Sequence, residues 1–185
     1  MMMESYLIMK NIFKIDTSTY VLMLFGLLSG YVKNIFVLLI IVLIHEFGHV
    51  FFFYLFRYEI ESVVIYPFGG VSKVNKRIHE RIYKDVLVSL GGILFQIILY
   101  FIFLFFYSYN FIVKSTYDLF CVYNMRIILF NILPIIPLDG SKLFFALCTK
   151  YFSFKKSYLF MEVVGFLSLF IFIYLAYFFT VLTEF

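Results

Sequence analysis

Three side chains inside one apolar run could do chemistry together: His45, Glu46 and His49, in the stretch Ile44-His45-Glu46-Phe47-Gly48-His49-Val50. Positions four apart on a helix lie one turn from each other on the same face. The two imidazoles could therefore reach a single zinc ion, and Glu46 beside them offers a carboxylate able to take and return a proton. Between Ile35 and Phe56 these three are the only charged or imidazole side chains, and every other residue except Gly48 is aliphatic or aromatic. A soluble zinc enzyme would carry such a motif on a helix with a wet face; this helix has none. Ionisable groups at membrane depth are expensive and mark a functional site.

A catalytic zinc takes three protein ligands and keeps one position open for water. Asp139 is the candidate third ligand, an acid within an apolar but broken stretch, with Lys142 three residues on as the alternative partner in a plain ion pair. His79, the remaining histidine, falls in a basic loop and reads as structural. Two neutral imidazoles and one carboxylate leave a net positive centre with Zn2+, which brings the pKa of its water to about 7. Glu46 then fits a general base that deprotonates the attacking water and passes the proton to the leaving amine. Asn131, about two turns before Asp139, could donate to a developing oxyanion or simply cap a helix break. Arg126 reads as snorkelling or pairing in the bundle, Glu162 as structural, and Cys121 and Cys148 as small buried hydrophobes.

The elements that must hold these residues are membrane spans. Hydrophobic residues make up 64% of the 185-residue chain and mean hydropathy is +1.02, which excludes an ordinary soluble domain. The expected fold is an all-α polytopic membrane protein of about five transmembrane helices, or six, forming a single domain over residues 1–185. Met1 to Thr19 carries charges of both signs, has no secretory signal pattern, and reads as a membrane-surface segment. Spans follow at Tyr20–Tyr31, Ile35–Phe56 and Val86–Tyr107, the last with Gly91-Gly92 permitting close helix approach. Leu119–Lys150 is interrupted by Asn131, Pro134, Pro137, Asp139 and Gly140, which predicts a helix, an irregular section and a second half-helix from about Leu138. Tyr158–Leu182 is the last span. Between the second and third spans, Glu59–Tyr66 reads as a strand, Pro67-Phe68-Gly69-Gly70 as a glycine turn, and Val71 as the start of a second strand, giving a short membrane-associated hairpin.

Alternating five spans puts Lys10, Lys14, Arg57, Lys73, Lys76, Arg77, Arg81, Lys84, Lys150, Lys155 and Lys156 on one side, and only Lys33 and Lys114 on the other. That bias predicts a cytoplasmic N-terminus. It also runs the spans bearing His45 and Asp139 in the same direction, with both residues toward the cytoplasmic side.

His45-Glu46-Phe47-Gly48-His49 in a membrane span, followed by Asn131-Ile132-Leu133-Pro134-Ile135-Ile136-Pro137-Leu138-Asp139-Gly140, resembles the site-2 protease family of intramembrane zinc metalloproteases. Pro67-Phe68-Gly69-Gly70-Val71 is similar to one branch of that family, which processes a sigma-factor precursor during endospore formation. The resemblance implies zinc bound by His45, His49 and Asp139, Glu46 as general base and a supporting role for Asn131. It also implies a substrate-binding strand through Tyr66, Phe68, Gly69, Gly70 and Val71 that pairs with an extended segment of a membrane-associated or transmembrane protein. Implied surroundings are the lipid bilayer of a bacterial cell or forespore, with membrane regulatory partners and no nucleic acid. Two departures stand out: Asp139-Gly140-Ser141 replaces the family's Asp-Gly-Gly, and Gly91-Gly92 its Gly-Pro. The sporulation branch also continues into a further span and a cystathionine-β-synthase-type domain, for which the sequence to Phe185 has no counterpart. The competing readings are a non-proteolytic membrane scaffold that binds client segments, which would have lost Glu46 or a ligand, and a metal transporter, which would want several acidic or histidine sites along a path.

Overall fold

The computed structural model describes residues 13–67, 69–75 and 82–183. The elements run β1 (Phe13–Ile15), α1 (Thr17–Leu28), α2 (Val32–Leu55), β2 (Glu59–Tyr66), β3 (Gly69–Asn75), α3 (Ile82–Ser108), α4 (Lys114–Ile132), α5 (Asp139–Cys148) and α6 (Phe154–Thr183). Among the described residues, three helices are long and apolar enough to cross a bilayer: α2, α3 and α6 over Phe154–Tyr174. The chain is a membrane protein, and its many exposed Phe, Leu and Ile side chains suit a lipid surround. At 12 residues, α1 reaches about 18 Å, short of a hydrocarbon core of about 30 Å.

Two compact units are distinguishable. The first contains the elements from β1 to β3 together with Gly91–Ile128. Its entry is fixed by Asp16, the N-cap of α1, whose carboxylate accepts from Ser18 N–H at 2.9 Å. The same turn is tied to the sheet, because Asp16 N–H and the Thr19 hydroxyl both donate to the Ile65 carbonyl. Gly30, at φ +75°, turns the chain from α1 into α2.

α2 ends in a Schellman motif. Arg57 takes a left-handed φ of 57°, its N–H donates to the Tyr54 carbonyl, and Tyr58 N–H donates back to Phe53 at 2.9 Å. The hydrophobic contact expected of this motif is the Phe53–Tyr58 ring pair, 5.8 Å apart. This reversal launches β2 back along the helix. β2 pairs antiparallel with β3, matching Ile65 to Gly70 and Val64 to Val71, with an irregularity between Ile60 and Ser62. On its other edge β2 pairs in parallel with β1, Phe13 opposite Val63 and Ile15 opposite Ile65. Val63 and Ile65 point inward in the alternation a half-buried strand requires.

The core of this unit joins three helices. Val37 and Ile41 of α2 pack with Leu99 of α3 and Phe120 of α4, and Phe103 stacks on Phe120 at 3.8 Å. Like α2, α3 closes on a left-handed residue, Asn110 at φ 60°, with Phe111 N–H reaching the Phe106 carbonyl.

The second unit contains the start of α3 to Leu90 and the chain from Leu129 onward. The predicted break occurs between α4 and α5, and α5 begins at Asp139 against an expected half-helix from about Leu138. Gly140 is required there: a Cβ would overlap the main-chain oxygens of Ile132 and Leu133. α5 packs on α6 through Phe144 and Phe160, 5.8 Å apart, and Gly165 of α6 lies against the Pro134 carbonyl.

Candidate active site

The buried face of α2 is a stripe of residues four apart, Val37, Ile41, His45, His49 and Phe53, with Glu46 and Gly48 beside it. Apolar packing at both ends thus carries the two imidazoles into the interior, where they are 3% and 6% exposed. Their Nε2 atoms lie 3.2 Å apart, with the rings edge to face. Two nitrogens each about 2.0–2.1 Å from a tetrahedral zinc would be about 3.3 Å apart, so this pair fits the metal.

The other nitrogen of His45, Nδ1, is 2.9 Å from Gln96 Oε1 on α3. Gln96 Nε2 in turn donates to Asn124 Oδ1 on α4 at 3.2 Å, and Asn124 Nδ2 to the Gln96 main-chain carbonyl at 3.4 Å. The ring of His45 also lies directly over Gly92, where a Cβ would overlap it. Gly48, one turn on, meets the main chain of Gly91 and Gly92 with no room for a side chain on either helix. Three glycines therefore set the separation of α2 and α3 at the height of the histidines. This bears out the reading of Gly91-Gly92 as a close-approach element.

Glu46 is 6% exposed, and its Oε1 accepts the main-chain N–H of Gly70 at 2.6 Å. β3 is thus laid against the carboxylate by a glycine whose Cβ would overlap Glu46 Cγ, Cδ and Oε2. Among the described residues β3 is an outer strand of the sheet, with β1 at the opposite edge. Gly69 is half-buried, while Tyr66 and Val71 are exposed. Phe68 and His79 lie outside the described residues, as do Lys76, Arg77 and Arg81 of the basic run.

In the second unit, Asp139 is the first residue of α5 and 5% exposed. The ion pair weighed as its alternative role exists: Lys142 Nζ is 2.8 Å from Asp139 Oδ1, with the lysine side chain largely in the open. Ser141, the departure from Asp-Gly-Gly, closes the first turn by donating from Oγ to the Leu138 carbonyl at 2.7 Å. Asn131 is half-buried in the last turn of α4, and Arg126 is exposed.

The sequence reading missed the partnership of Gln96 and Asn124. A signal was present in kind for Gln96, a neutral amide within an apolar helix where an unpaired polar group is costly, whereas Asn124 lies in the more polar α4 and carried none.

A model of peptidase family M50 matches residues 33–116 and 108–175. The chain belongs to that family. It is 38% identical over 133 residues to stage IV sporulation protein FB of Bacillus subtilis, a match covering 72% of this chain and 46% of the relative. It is 27% identical over 127 residues to zinc metalloprotease MJ0392 of Methanocaldococcus jannaschii, covering 66% and 37%. The chain thus spans less than half the length of these curated relatives. Among solved structures, the site-2 protease from Methanocaldococcus jannaschii shares the fold, at TM-score 0.60, 18% identity and 87% of both chains.

Proposed function

We propose that residues 1–185 form an intramembrane zinc endopeptidase, one metal per chain, which hydrolyses a peptide bond of a membrane-associated or transmembrane protein near the cytoplasmic face. The observation that carries this reading is the buried group on α2: two converging imidazole Nε2 atoms beside a carboxylate that touches an outer β-strand. His45 and His49 would hold the zinc with Asp139 as third ligand, which is supported by its burial at the first turn of α5 and by the family. Bound zinc supplies Lewis acidity, lowering the pKa of its water to about 7 and polarising the scissile carbonyl.

The chain's own residues do the rest. Glu46 takes the proton of the attacking water and delivers it to the leaving nitrogen. The substrate is received as an extended strand through main-chain hydrogen bonds along β3 at Gly69, Gly70 and Val71, with Tyr66 of β2 and Phe68 as the further residues that the family resemblance implies. Asn131 donates to the oxyanion or to a substrate carbonyl. The Lys/Arg distribution supports a cytoplasmic N-terminus. The relation to stage IV sporulation protein FB supports a sigma-factor precursor as substrate in a bacterial or forespore membrane, under the control of membrane partners.

Co-expression with such a precursor and with a generic single-span protein, comparing wild type with Glu46→Gln, tests this. Cleavage that vanishes in the variant while zinc content is kept is the expected result. Cleavage that persists in Glu46→Gln would overturn the role of Glu46. A zinc-loaded wild type that cuts neither protein would favour the client-binding scaffold.

A further inference from the structure

We propose that Gln96 and Asn124 are positioning residues whose amides, chained from a main-chain carbonyl to His45 Nδ1, fix the tautomer of His45 so that Nε2 keeps its lone pair for the metal. The proposal rests on the zinc reading above and adds residues outside its ligand and base set.

The argument is one of direction. A primary amide carries both a donor and an acceptor end, so a Gln beside an imidazole could present either and leave the tautomer undecided. A main-chain carbonyl only accepts. The chain begins at such a group, the Gln96 carbonyl, which receives Asn124 Nδ2. That contact commits the NH2 of Asn124 and leaves its Oδ1 as the acceptor for Gln96 Nε2, at 3.2 Å. Gln96 is then committed in turn, and the atom it turns to His45 is Oε1, at 2.9 Å. Facing an acceptor, Nδ1 must carry the hydrogen. Nε2 is therefore unprotonated, on the side where His49 Nε2 lies 3.2 Å away.

With Gln96 reversed, its NH2 would face Nδ1, the hydrogen would move to Nε2, and that nitrogen could not ligate. Burial removes the escape routes. Gln96 is 0% exposed, Asn124 4% and His45 3%, so no water can substitute for a missing member at low cost. The three residues come from α3, α4 and α2, so the chain also reports whether these helices are correctly packed. Outer partners of this kind raise ligand basicity and set ring orientation, and losing them weakens metal affinity by about 10–100-fold.

The test is zinc affinity of the purified full chain in detergent, measured by competition with a fluorescent chelator, with thermal unfolding recorded on the same samples. Gln96→Met keeps the length but offers Nδ1–H no oxygen; Gln96→Glu keeps the acceptor. Gln96→Met should bind zinc about 10–100-fold more weakly than wild type, and Gln96→Glu should recover most of that loss. Asn124→Leu should weaken zinc in the same direction and Asn124→Asp less, which reads the chain one link away should Gln96→Met not fold. Zinc affinity in Gln96→Met within about twofold of wild type, well below the loss expected for such a partner, would overturn the proposal. So would an equal loss in Gln96→Met and Gln96→Glu, since that would mean a merely structural role. A wild type that binds no zinc would remove the metal reading itself, and this proposal with it.

Discussion

Gly70→Ala separates the chemistry of Glu46 from the stability of the fold. Gly70 does not occupy a left-handed conformation, so alanine costs nothing in backbone strain and reduces the freedom of the unfolded chain. What it lacks is room, because its Cβ would coincide with the carboxylate end of Glu46. Restoring an ordinary carbon–oxygen separation of about 3.5 Å moves the carboxylate by about 1 Å. The Gly70 N–H to Oε1 distance, now 2.6 Å, then opens to about 3.6 Å and ceases to be a hydrogen bond. A misplacement of about 1 Å in a catalytic group is worth about a hundredfold in rate, or about 2.7 kcal/mol of barrier. The expectation is a hundredfold slower single-turnover cleavage with zinc content unchanged, because neither imidazole is touched, and with unfolding temperature little changed, since the lost hydrogen bond to Glu46 is partly offset by the reduced freedom of the unfolded chain. The assay is cleavage of a single-span substrate by purified enzyme in lipid, with zinc measured in the same preparation. A Gly70→Ala enzyme that cuts at the wild-type rate would refute the reasoning. So would one whose zinc falls in step with its activity.

Gly48→Ala should behave in the opposite way. Its Cβ meets the main chain of Gly91 and Gly92, which cannot rotate aside, so α2 and α3 must separate. Overpacking of this kind costs about 1–3 kcal/mol and pulls His45 from Gln96; unfolding temperature and zinc affinity should drop together, and a variant that keeps both would show that the two helices can part locally. Arg57→Gly should stabilise the chain by about 1 kcal/mol, since glycine holds the left-handed C′ position without the Cβ penalty. Thermal unfolding in detergent measures it, and an unchanged midpoint would mean that the Arg57 side chain contributes as much as its backbone costs.

Local signals carried most of the fold into view. A helix bearing His45 and His49 on one face, a glycine-turn hairpin beginning at Glu59 and a helix restarting at Asp139 each depend on residues within a few positions of one another. Non-local features were illegible for the same reason. Strand β1 has three residues, Phe13 to Ile15, too few to show a period, and its parallel pairing with β2 joins segments some fifty positions apart. The segment to Thr19 therefore read only as membrane surface, with no sign that Phe13–Ile15 form a strand and residues 17–19 the first turn of α1. Lys33 and Lys114 entered the sequence reading as charges on one side, yet Lys114 opens α4 and Lys33 reaches Ser115 at 3.1 Å. Gln96 was visible as an amide in an apolar span, but no periodicity reveals that it faces His45 on one side and Asn124 on the other.

The position of β3 bears on how a protease of this type could select its substrate. A helical peptide bond is shielded by its own hydrogen bonds, so a transmembrane segment must be drawn out before a base can act on it. The contact that brings a strand to Glu46 is made by main chain alone, the Gly70 N–H, at a position where any side chain would collide with the Glu46 carboxylate. Were β3 to receive the substrate as proposed, recognition beside Glu46 would be of extended backbone, indifferent to side-chain identity at that point. Sequence preference would have to come from neighbouring positions such as Tyr66 and Val71, whose side chains are exposed. On this reasoning, helix-breaking residues near the scissile bond of a substrate should raise cleavage more than any single side chain placed at the bond itself, because they lower the cost of becoming a strand.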